Sequence, residues 1–243
     1  MDQISAIAAS GLRARLQSLD LLANNMANAS TNGYKGDGEF YSLFTSDAAE
    51  PDANGDVARS PMIERQWTDF AQGLIQQTNN PLDVALSGKG FFTVKTPSGN
   101  LYTRNGSFHL ATDGTISTED GYPVLNTDGE PVKVDPKQKI DISPDGVVHQ
   151  KGQELGKLQV VQFKDTTTLL KQGNTNFKNE SDQKPAAAAN VQVQQGKIET
   201  SNVNAAHGAV RLVGVMRQFE LMQKAISISN DMGKKAIEEV AKI

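Results

Sequence analysis

The chain contains no cysteine, and this absence excludes disulfides, a thiolate nucleophile and thiolate metal ligands. Aromatic residues are scarce, at 6% of the 243 residues. Lysine and arginine total 24 while aspartate and glutamate total 28, for a net charge of -4. The chain has no excess of basic residues, and this argues against a nucleic-acid or anionic-membrane partner. A chain of this length can bury a core of its own without crosslinks.

Long apolar runs are also missing. No stretch approaches the roughly 18 consecutive apolar residues that a membrane span requires, so we expect no membrane insertion. The first residues, Met1 to Ile4, have no basic start and lead into an amphipathic stretch. This pattern predicts that the chain carries no cleavable signal peptide.

The end of the chain, Val210 to Ile243, contains no proline and has an apolar residue at nearly every third or fourth position. This spacing predicts one long helix, with a coiled-coil seam that faces a partner. A second apolar stripe lies outside the seam, so the helix is expected to bury more than one side. The seam comprises Leu212, Val215, Phe219, Met222, Ile226, Ser229, Gly233, Ala236 and Val240, and the second stripe Val213, Met216, Ile228, Met232 and Ile237.

A second long amphipathic helix is predicted from Ile4 to Ala27. It ends in Asn28 to Gly33, where small polar residues compete for backbone hydrogen bonds and Gly33 can adopt a positive φ. Two long helices at opposite ends of one chain leave excess apolar surface for an assembly to cover. The apolar positions of this helix are Ile4, Ala8, Leu12, Leu16, Leu19, Ala23 and Met26.

The middle of the chain, from Pro81, consists of short β-like runs separated by Asx-Gly or Ser-Gly dipeptides that favour tight turns. It predicts a compact antiparallel β domain, either a sandwich or a partly closed barrel. We interpret Thr166 to Asn190 as an irregular excursion and exposed linker, and Val191 to Glu199 as a returning strand. The predicted strands are Asp83–Leu86, Phe91–Lys95, Leu101–Arg104, Ser107–Leu110, Pro123–Leu125, Val132–Val134, Val147–Gln150 and Leu158–Phe163.

The predicted fold class is mixed α and β, with the two terminal helices forming a coiled-coil-like core element beside a mostly antiparallel β domain. Between them, short extended pieces and a mobile acidic loop, Asp47 to Gly55, are expected. Thr200 to Asn204 suits the N-cap of the final helix. The predicted parts are 1–35 (helix and motif), 36–80 (connection), 81–199 (β domain) and 200–243 (final helix).

Residues that often carry chemistry are isolated in this sequence. His109, His149 and His207 form no HxH or HxxxH pair, which disfavours a zinc site. Four Asp-Gly dipeptides are explained by turns without any ligand. Ser87 to Gly90 lacks the Gly-Lys-Ser/Thr ending of a phosphate loop, and no G-x-S-x-G is present. We therefore predict a protein that is not an enzyme and has no catalytic residue, cofactor or metal.

Several motifs, in chain order, resemble those of the bacterial flagellar rod and hook proteins. Residues 23–35, ANNMANASTNGYK, match the ANNxANxxTxGYK signature of that family. Gly88 to Phe92 is similar to its GxGFF turn, Tyr102 to Phe108 to its YTRxGxF segment, and Glu199 to Asn204 to its ExSNVN segment. Arg217 to Glu220 resembles a QRxYE region, with the order of Arg and Gln changed and Phe in place of Tyr.

The resemblance covers nearly the whole chain. The length of the chain and the short segment between Lys35 and the β domain resemble the F-type rod proteins most and the G-type distal rod proteins next. It implies that Asn24, Asn25, Asn28, Thr31, Gly33, Tyr34, Lys35, Ser201, Asn202 and Asn204 are signature residues. The expected assembly interface comprises Ile4, Leu12, Leu16, Leu19, Met26, Leu212, Val215, Phe219, Met222 and Ile226.

The function that the resemblance implies is a structural subunit that polymerises through its terminal helices into the flagellar drive shaft. Expected partners are other rod subunits, copies of itself and the flagellar type III export apparatus, with no nucleic acid. The expected location is the periplasmic rod of the basal body. Two alternatives remain: a hook or hook-associated subunit of the same family, and a secreted carbohydrate-binding or carbohydrate-active β protein.

Overall fold

The structure is a computed structural model that describes residues 3–45, 59–173, 175–181 and 183–240. The predicted acidic loop lies outside the described residues. The chain divides into two compact units. The first lies within 1–27, 37–67 and 204–243, and we call it the helical unit. The other, here the β unit, comprises 28–36 and 68–203. The motif segment 28–36 thus belongs to the β unit, whereas much of the predicted connection belongs to the helical unit.

The helical unit contains two helices and a two-stranded ribbon. Helix α1 spans Gln3–Ala27 and helix α2 spans Ala205–Val240. Strand β1 (Asp37–Thr45) pairs with β2 (Arg59–Thr68), where only short extended pieces were expected. The two helices contact each other. Both terminal helices are therefore confirmed, while the supercoiled seam stays a prediction.

Helix α2 begins at Ala205, before the predicted start at Val210, because a capping residue stands in front of it. The side-chain Oδ1 of Asn204 accepts a hydrogen bond from the backbone N of His207 at 3.0 Å. This contact satisfies one of the backbone donors that the first turn of a helix leaves open. The N-cap expected within Thr200 to Asn204 is confirmed at Asn204.

The β unit is built from short strands, and the strand pairs among its described residues are antiparallel. A six-stranded sheet has the order β13-β14-β6-β5-β12-β15, a three-stranded sheet the order β11-β10-β9, and three pairs are β16-β4, β17-β3 and β7-β8. The strands are β3 Ile75–Gln77, β4 Val84–Ser87, β5 Phe91–Thr96, β6 Gly99–Thr103, β7 His109–Leu110, β8 Ile116–Ser117, β9 Asp141–Ile142, β10 Val147–Gln150, β11 Gln153–Lys157, β12 Val160–Gln162, β13 Leu169–Gln172, β14 Asn176–Asn179, β15 Ala186–Ala187, β16 Gln192–Gln195 and β17 Lys197–Glu199.

Two parts of the predicted β pattern are wrong. The stretch from Thr166 to Asn190 is not an irregular excursion, since β13 and β14 form a hairpin within the large sheet and β15 pairs with β12. Buried Leu169 and Phe177 hold the hairpin, but the polar residues around them concealed the pattern. Conversely, Pro123–Leu125 and Val132–Val134 form only isolated bridges.

The four Asp-Gly dipeptides predicted as turns do form turns. Their glycines, Gly114, Gly121, Gly129 and Gly146, all have φ between 79° and 87°, which glycine adopts without steric cost. Gly106 differs, because a Cβ there would lie 1.7 Å from the carbonyl oxygen of Val84. Glycine at that position permits close backbone approach rather than a positive φ.

Two clusters of buried side chains form the core of the β unit. The larger one is aliphatic and contains the edge-to-face ring pair Phe92 and Phe108, with ring centroids 5.1 Å apart. The smaller cluster is mostly aromatic, and in it Phe91, Phe163 and Phe177 pack edge-to-face. This packing gives the β unit a rigid interior that can hold polar side chains at fixed positions.

Candidate assembly surface and signature junction

Helix α2 has two faces of different exposure. On the predicted seam, Val215 is buried, and the next apolar residues are half-buried. On the opposite face, Leu221 is 67% exposed and Met232 is 66% exposed. Since 3.6 residues make a turn, the spacings from Val210 to Leu221, Ile228 and Met232 return to one face. We call Val210, Leu221, Ile228 and Met232 the outer stripe.

The predicted interface residues on α2 are all less exposed than the outer stripe: Leu212, Phe219, Met222 and Ile226 are half-buried beside Val215. In the predicted second stripe, Val213, Met216, Ile228 and Met232 are exposed. The side chains of Ser229, Ala236, Ile237 and Val240 lie outside the described set. Among the described side chains, the chain itself therefore covers the first part of the seam, from Leu212 to Ile226, and leaves the second stripe open to solvent.

Helix α1 buries a face next to the predicted one. Leu12, Leu19 and Met26 are half-buried and Leu16 is exposed, and the side chain of Ile4 lies outside the described set. The buried positions are instead Gly11, Ala14, Ser18, Leu21, Leu22 and Asn25. Two of these are polar, which is why an apolar pattern alone did not locate the face.

Polar contacts attach strand β1 to both helices. The amide of Asn25 donates from Nδ2 to the backbone O of Asp37 at 2.7 Å and accepts from its N at 2.9 Å. Ser18 donates from Oγ to Glu39 Oε1 at 2.7 Å, and Arg211 Nη2 lies 3.0 Å from the same oxygen. The signature residue Asn25 thus acts as a side-chain partner for the strand backbone.

In the β unit, three charged side chains from separate motifs meet in the interior. The carboxylate of Glu199 lies between Lys35, with Nζ 2.5 Å from Oε1, and Arg104, with Nη2 3.0 Å from Oε2. The side chains of Lys35 and Glu199 have no exposed surface. We call these three residues, together with Asn202, the signature junction.

Backbone groups complete the hydrogen bonding of the junction. Lys35 Nζ donates to the carbonyl O of Ala71 at 2.7 Å, and the N of Gly73 donates to Glu199 Oε1 at 2.9 Å. Arg104 Nη1 donates to the carbonyls of Gly88 and Gly90. Because buried charges are costly unless they are paired and hydrogen-bonded, these contacts are what makes the cluster tolerable.

Burial dominates the ionisation of the two cations. It lowers the pKa of Lys35 below its ordinary value of 10.5, although the neighbouring Glu199 carboxylate acts in the opposite direction. Burial likewise lowers the pKa of Arg104, again opposed by Glu199. The single carboxylate therefore carries the charge balance of two desolvated cations.

The backbone of the signature segment is held against the same place. Gly33 has a φ of 68°, which confirms the predicted positive φ. Its backbone N donates to the carbonyl O of Glu199 at 2.7 Å. Asn202 accepts from the N of Gly36 at 2.8 Å and donates to the carbonyl O of Asp69 at 2.8 Å. Segments that follow α1 and precede α2 in sequence are thereby joined within the β unit.

Other signature residues support this arrangement. Tyr34 is fully buried, and Lys171 Nζ lies 4.2 Å from the centroid of its ring. Lys171 also donates to the carbonyl O of Lys35 at 2.7 Å. Thr31 donates from Oγ1 to Asn28 Oδ1 at 3.2 Å, and Ser201 Oγ accepts from the N of Val203 at 3.1 Å. Each contact fixes the local turn of a motif segment.

The motifs that contain Arg104 and Glu199 are visible in the sequence, but nothing in their spacing predicts that these two residues pair with Lys35. The sequence also gives no sign of the role of Lys171, which lies outside every motif. The available signal was that each of three motifs carries one charged residue in an otherwise polar or glycine-rich segment. Opposite signs at such positions are compatible with a shared buried site, although the pairing itself depends on the fold.

Within the described residues, no three histidine, aspartate or glutamate side chains lie together in a way that could hold a metal ion. Neither α1 nor α2, over the part of each that the structure describes, is long and apolar enough to cross a membrane.

Family models match three parts of the chain, and together these parts contain most of the residues described above. "Flagella basal body rod protein" matches residues 6–35, "Flagellar hook protein FlgE/F/G D1 domain" matches 85–150 and "Flagellar basal body rod FlgEFG protein C-terminal" matches 194–239. Terminal helices flanking a β unit, with these matches in this order, define an axial structural protein of the bacterial flagellum.

Similar curated proteins cover nearly the full length. The flagellar basal-body rod protein FlgF of Caulobacter vibrioides is 29% identical over 226 residues, which cover 93% of this chain and 92% of the relative. The rod protein FlgG of Borreliella burgdorferi is 32% identical over 250 residues, covering 93% and 94%. The chain belongs to the family of flagellar basal-body rod proteins and is a structural subunit of the rod, with the F type as the first match. The hook alternative is not favoured.

Proposed function

We propose that this rod subunit polymerises through α1 and α2 into the axial shaft that transmits torque, while the β unit acts as spacer and outer contact. The observation that carries the proposal is the outer stripe of α2, four exposed apolar side chains on one helix face. Large apolar side chains left in water on one face of a helix are candidates for protein–protein contact. Copies or other rod subunits that cover this stripe would remove it from water.

The predicted seam residues have a second role in this proposal. Leu212, Val215 and Phe219 are already wholly or partly covered within the helical unit, so they hold the helices together in the single chain. Leu16 on α1 is exposed and adds to the surface that neighbours cover. A rod contact of this kind joins different surfaces of successive subunits and does not close, which generates a helical filament.

The proposal also includes the route and the location. The subunit passes through the flagellar type III export apparatus and occupies the periplasmic rod. Membership of the rod family supports both statements. Long helices with open apolar faces would be ordered fully only on assembly, which suits a chain that must travel unfolded.

The test replaces outer-stripe residues without weakening the helix. Leu221→Gln combined with Met232→Gln removes apolar surface but keeps a residue with good helix propensity. The variant should remain folded and should fail to enter rods, measured as lost swimming and absence from isolated basal bodies in a host that lacks its own copy. Normal swimming of this double variant would contradict the proposal.

A matched control uses two exposed leucines of the β unit, Leu155 on β11 and Leu170 on β13. Leu155→Gln combined with Leu170→Gln removes two exposed apolar side chains of similar size from a surface that the proposal does not assign to the helical contact. This control should support swimming at the level of the unchanged chain. Equal loss in both double variants would mean that the effect is not specific to α2.

A further inference from the structure

The ribbon of β1 and β2 presents different chemistry on its two faces. Side chains alternate between faces along a strand, so Asp37 and Glu39 share one face while Gly38 and Phe40 share the other. The Glu39 side chain points to the helices, where it contacts Ser18 and Arg211. The Gly38–Phe40 face therefore points away from α1 and α2.

An exposed aromatic pair occupies this outward face. The rings of Phe40 and Trp67 are stacked, with centroids 6.0 Å apart and planes inclined by 29°. Phe40 is 55% exposed and Trp67 is 40% exposed. A Cβ on Gly38 would lie 2.6 Å from the Trp67 indole Nε1, so the indole lies directly over the glycine backbone. We call Phe40 and Trp67, with Gly38 beneath them, the aromatic patch.

The patch has the properties of an interface anchor. Trp67 is the chain's only tryptophan, in a sequence poor in aromatics, and its body is half in water. Phe40 and Trp67 are the only exposed aromatic side chains among those whose burial the structure describes, a set that does not include positions 41–45 and 59–65. Tryptophan is enriched at the energetic centres of interfaces. The contact with Gly38 and the stacked ring hold the indole in place, which reduces the entropy lost on binding.

The patch adjoins the surface already assigned to assembly. Glu39 precedes Phe40 in β1, and its partner Arg211 follows Val210, the first member of the outer stripe, in α2. Val210 is 75% exposed. The Glu39–Arg211 pair therefore brings the strand that carries the patch beside the helix turn that carries the stripe, within the same helical unit.

We propose that the aromatic patch docks onto the outer stripe of α2 in a second copy of this chain. This inference rests on the proposed function and specifies which surface the outer stripe meets. The two surfaces are different parts of the molecule, so the contact is heterologous and repeats from copy to copy, as a filament requires. Met232 and the aliphatic members of the stripe suit aromatic rings, because thioethers and methyl groups pack well against them.

The first experiment maps the occupant directly. A photo-crosslinking phenylalanine analogue at position 40 is irradiated in assembled rods that contain the full chain. The expected product has about twice the 26.1 kDa mass of the chain, with the crosslink between position 40 and the α2 region of another copy. A product with a different flagellar protein, a product that maps outside α2, or no product would overturn the proposal.

The second experiment separates this inference from the proposed function. Trp67→Ser removes the anchor from an exposed position, whereas Trp67→Phe keeps an aromatic ring there. We expect at least a tenfold loss of rod incorporation for Trp67→Ser, little change for Trp67→Phe, and an unchanged melting temperature of the β unit in both. Normal incorporation of Trp67→Ser, with the Leu221 and Met232 double variant still excluded, would overturn the aromatic patch and leave the proposed function standing.

A fluorescence measurement reads the same contact without mutation. As the only tryptophan, Trp67 reports its own environment in the unchanged chain. Covering it with apolar side chains should shift its emission to shorter wavelength and reduce quenching by acrylamide when the chain assembles. Equal quenching in the free and the assembled chain would show that the patch stays in water and would contradict the proposal.

Discussion

The two units of this protein place charged and apolar side chains in opposite ways. The β unit buries a lysine, an arginine and a glutamate and pairs them with one another and with backbone groups. The helical unit leaves leucine, isoleucine, methionine and tryptophan side chains in contact with water. The β unit thus satisfies its buried charges within the single chain, whereas the helical unit exposes the apolar faces that we propose other subunits cover.

The two units therefore differ in what their side chains contribute: one positions segments of the chain, and the other bears on the free energy of association. The buried junction fixes the segments that follow α1 and precede α2, which are separated by most of the chain in sequence. It contributes little net stability, because the attraction among its charges is offset by their desolvation. Its effect is positional, whereas burial of the exposed apolar faces would supply the free energy of association in the proposed assembly.

The largest expected effect comes from removing the shared carboxylate. Glu199→Gln leaves Lys35 and Arg104 as two buried cations without the carboxylate that pairs with both, and breaking such a buried pair costs about 3–5 kcal/mol. The free energy of unfolding of the β unit, measured in urea, should fall by this amount. Glu154→Gln, at an exposed position on β11, is the control and should change it by less than about 0.5 kcal/mol. Comparable stability of the two variants would show that the junction is not a buried charge cluster.

A large effect is also expected at Gly33. A Cβ there would lie 2.2 Å from the backbone N of Asn105, and φ is 68°. Gly33→Ala combines the strain of positive φ with an overlap against rigid backbone, each about 1–3 kcal/mol. Gly121 provides the matched control, since its φ is 82° and a Cβ would meet nothing within 4 Å. Thermal unfolding should show a clearly lower melting temperature for Gly33→Ala than for Gly121→Ala, and equal values would refute the close approach.

A smaller effect is expected at Lys35. Lys35→Met leaves Glu199 paired with Arg104 and with the N of Gly73, so the remaining charges are still balanced. The expected loss is about 1–3 kcal/mol, the range for breaking hydrogen bonds to a buried charged group. Urea unfolding beside Glu199→Gln measures the difference. A loss larger than that of Glu199→Gln would contradict the assignment of Glu199 as the shared ion.

The unchanged chain and the Lys35→Met variant also provide a test by pH. Burial lowers the folded-state pKa of Lys35 below 10.5, so the unfolded chain holds this proton more tightly than the folded chain. The unfolded state then binds more protons between the lowered pKa and 10.5, and stability increases with pH in that window. The unchanged chain should gain stability relative to Lys35→Met as pH rises toward 10.5. A relative loss over that range would mean that ion pairing, rather than burial, dominates.

The smallest expected effect on stability is at the outer stripe. Leu221→Gln replaces an exposed side chain, so the free energy of unfolding of the free chain should change by no more than about 0.5 kcal/mol, the range of ordinary surface substitutions. Differential scanning calorimetry of the purified chain measures this. A strong destabilisation would show that Leu221 is already packed in the single chain, and would remove the contrast between the two units.

Periodicity alone located both helices, since three- and four-residue spacings are unaffected by what the helix packs against. Asp-Gly dipeptides similarly located the turns, because their backbone preference is local. The β13–β14 hairpin was missed, since only Leu169 and Phe177 mark its buried face among polar neighbours. The predicted buried face of α1 lies beside the observed one for a related reason. Ser18 and Asn25 are buried because they form hydrogen bonds with β1, and an apolar pattern does not reveal such contacts.

The candidate site was predictable only in part. The motif resemblance identified Lys35, Asn202 and Gly33, and it implied assembly through the terminal helices. The meeting of Lys35, Arg104 and Glu199 depends on contacts between positions that are distant in sequence. The aromatic patch likewise depends on pairing between β1 and β2, which places Trp67 over Gly38. Such long-range pairings are set by the whole fold and leave no local spacing to recognise.

The central claim is that the outer stripe of α2 is open in the free subunit and covered in the rod. Because the chain has no native cysteine, Leu221→Cys introduces a unique thiol whose reaction rate with a maleimide reports its accessibility. Leu155→Cys on the β unit is the reference. The account predicts fast labelling of both in the free chain and strong protection of position 221 alone in isolated rods that contain the variant. Equal labelling of position 221 in the free chain and in the rod would contradict it.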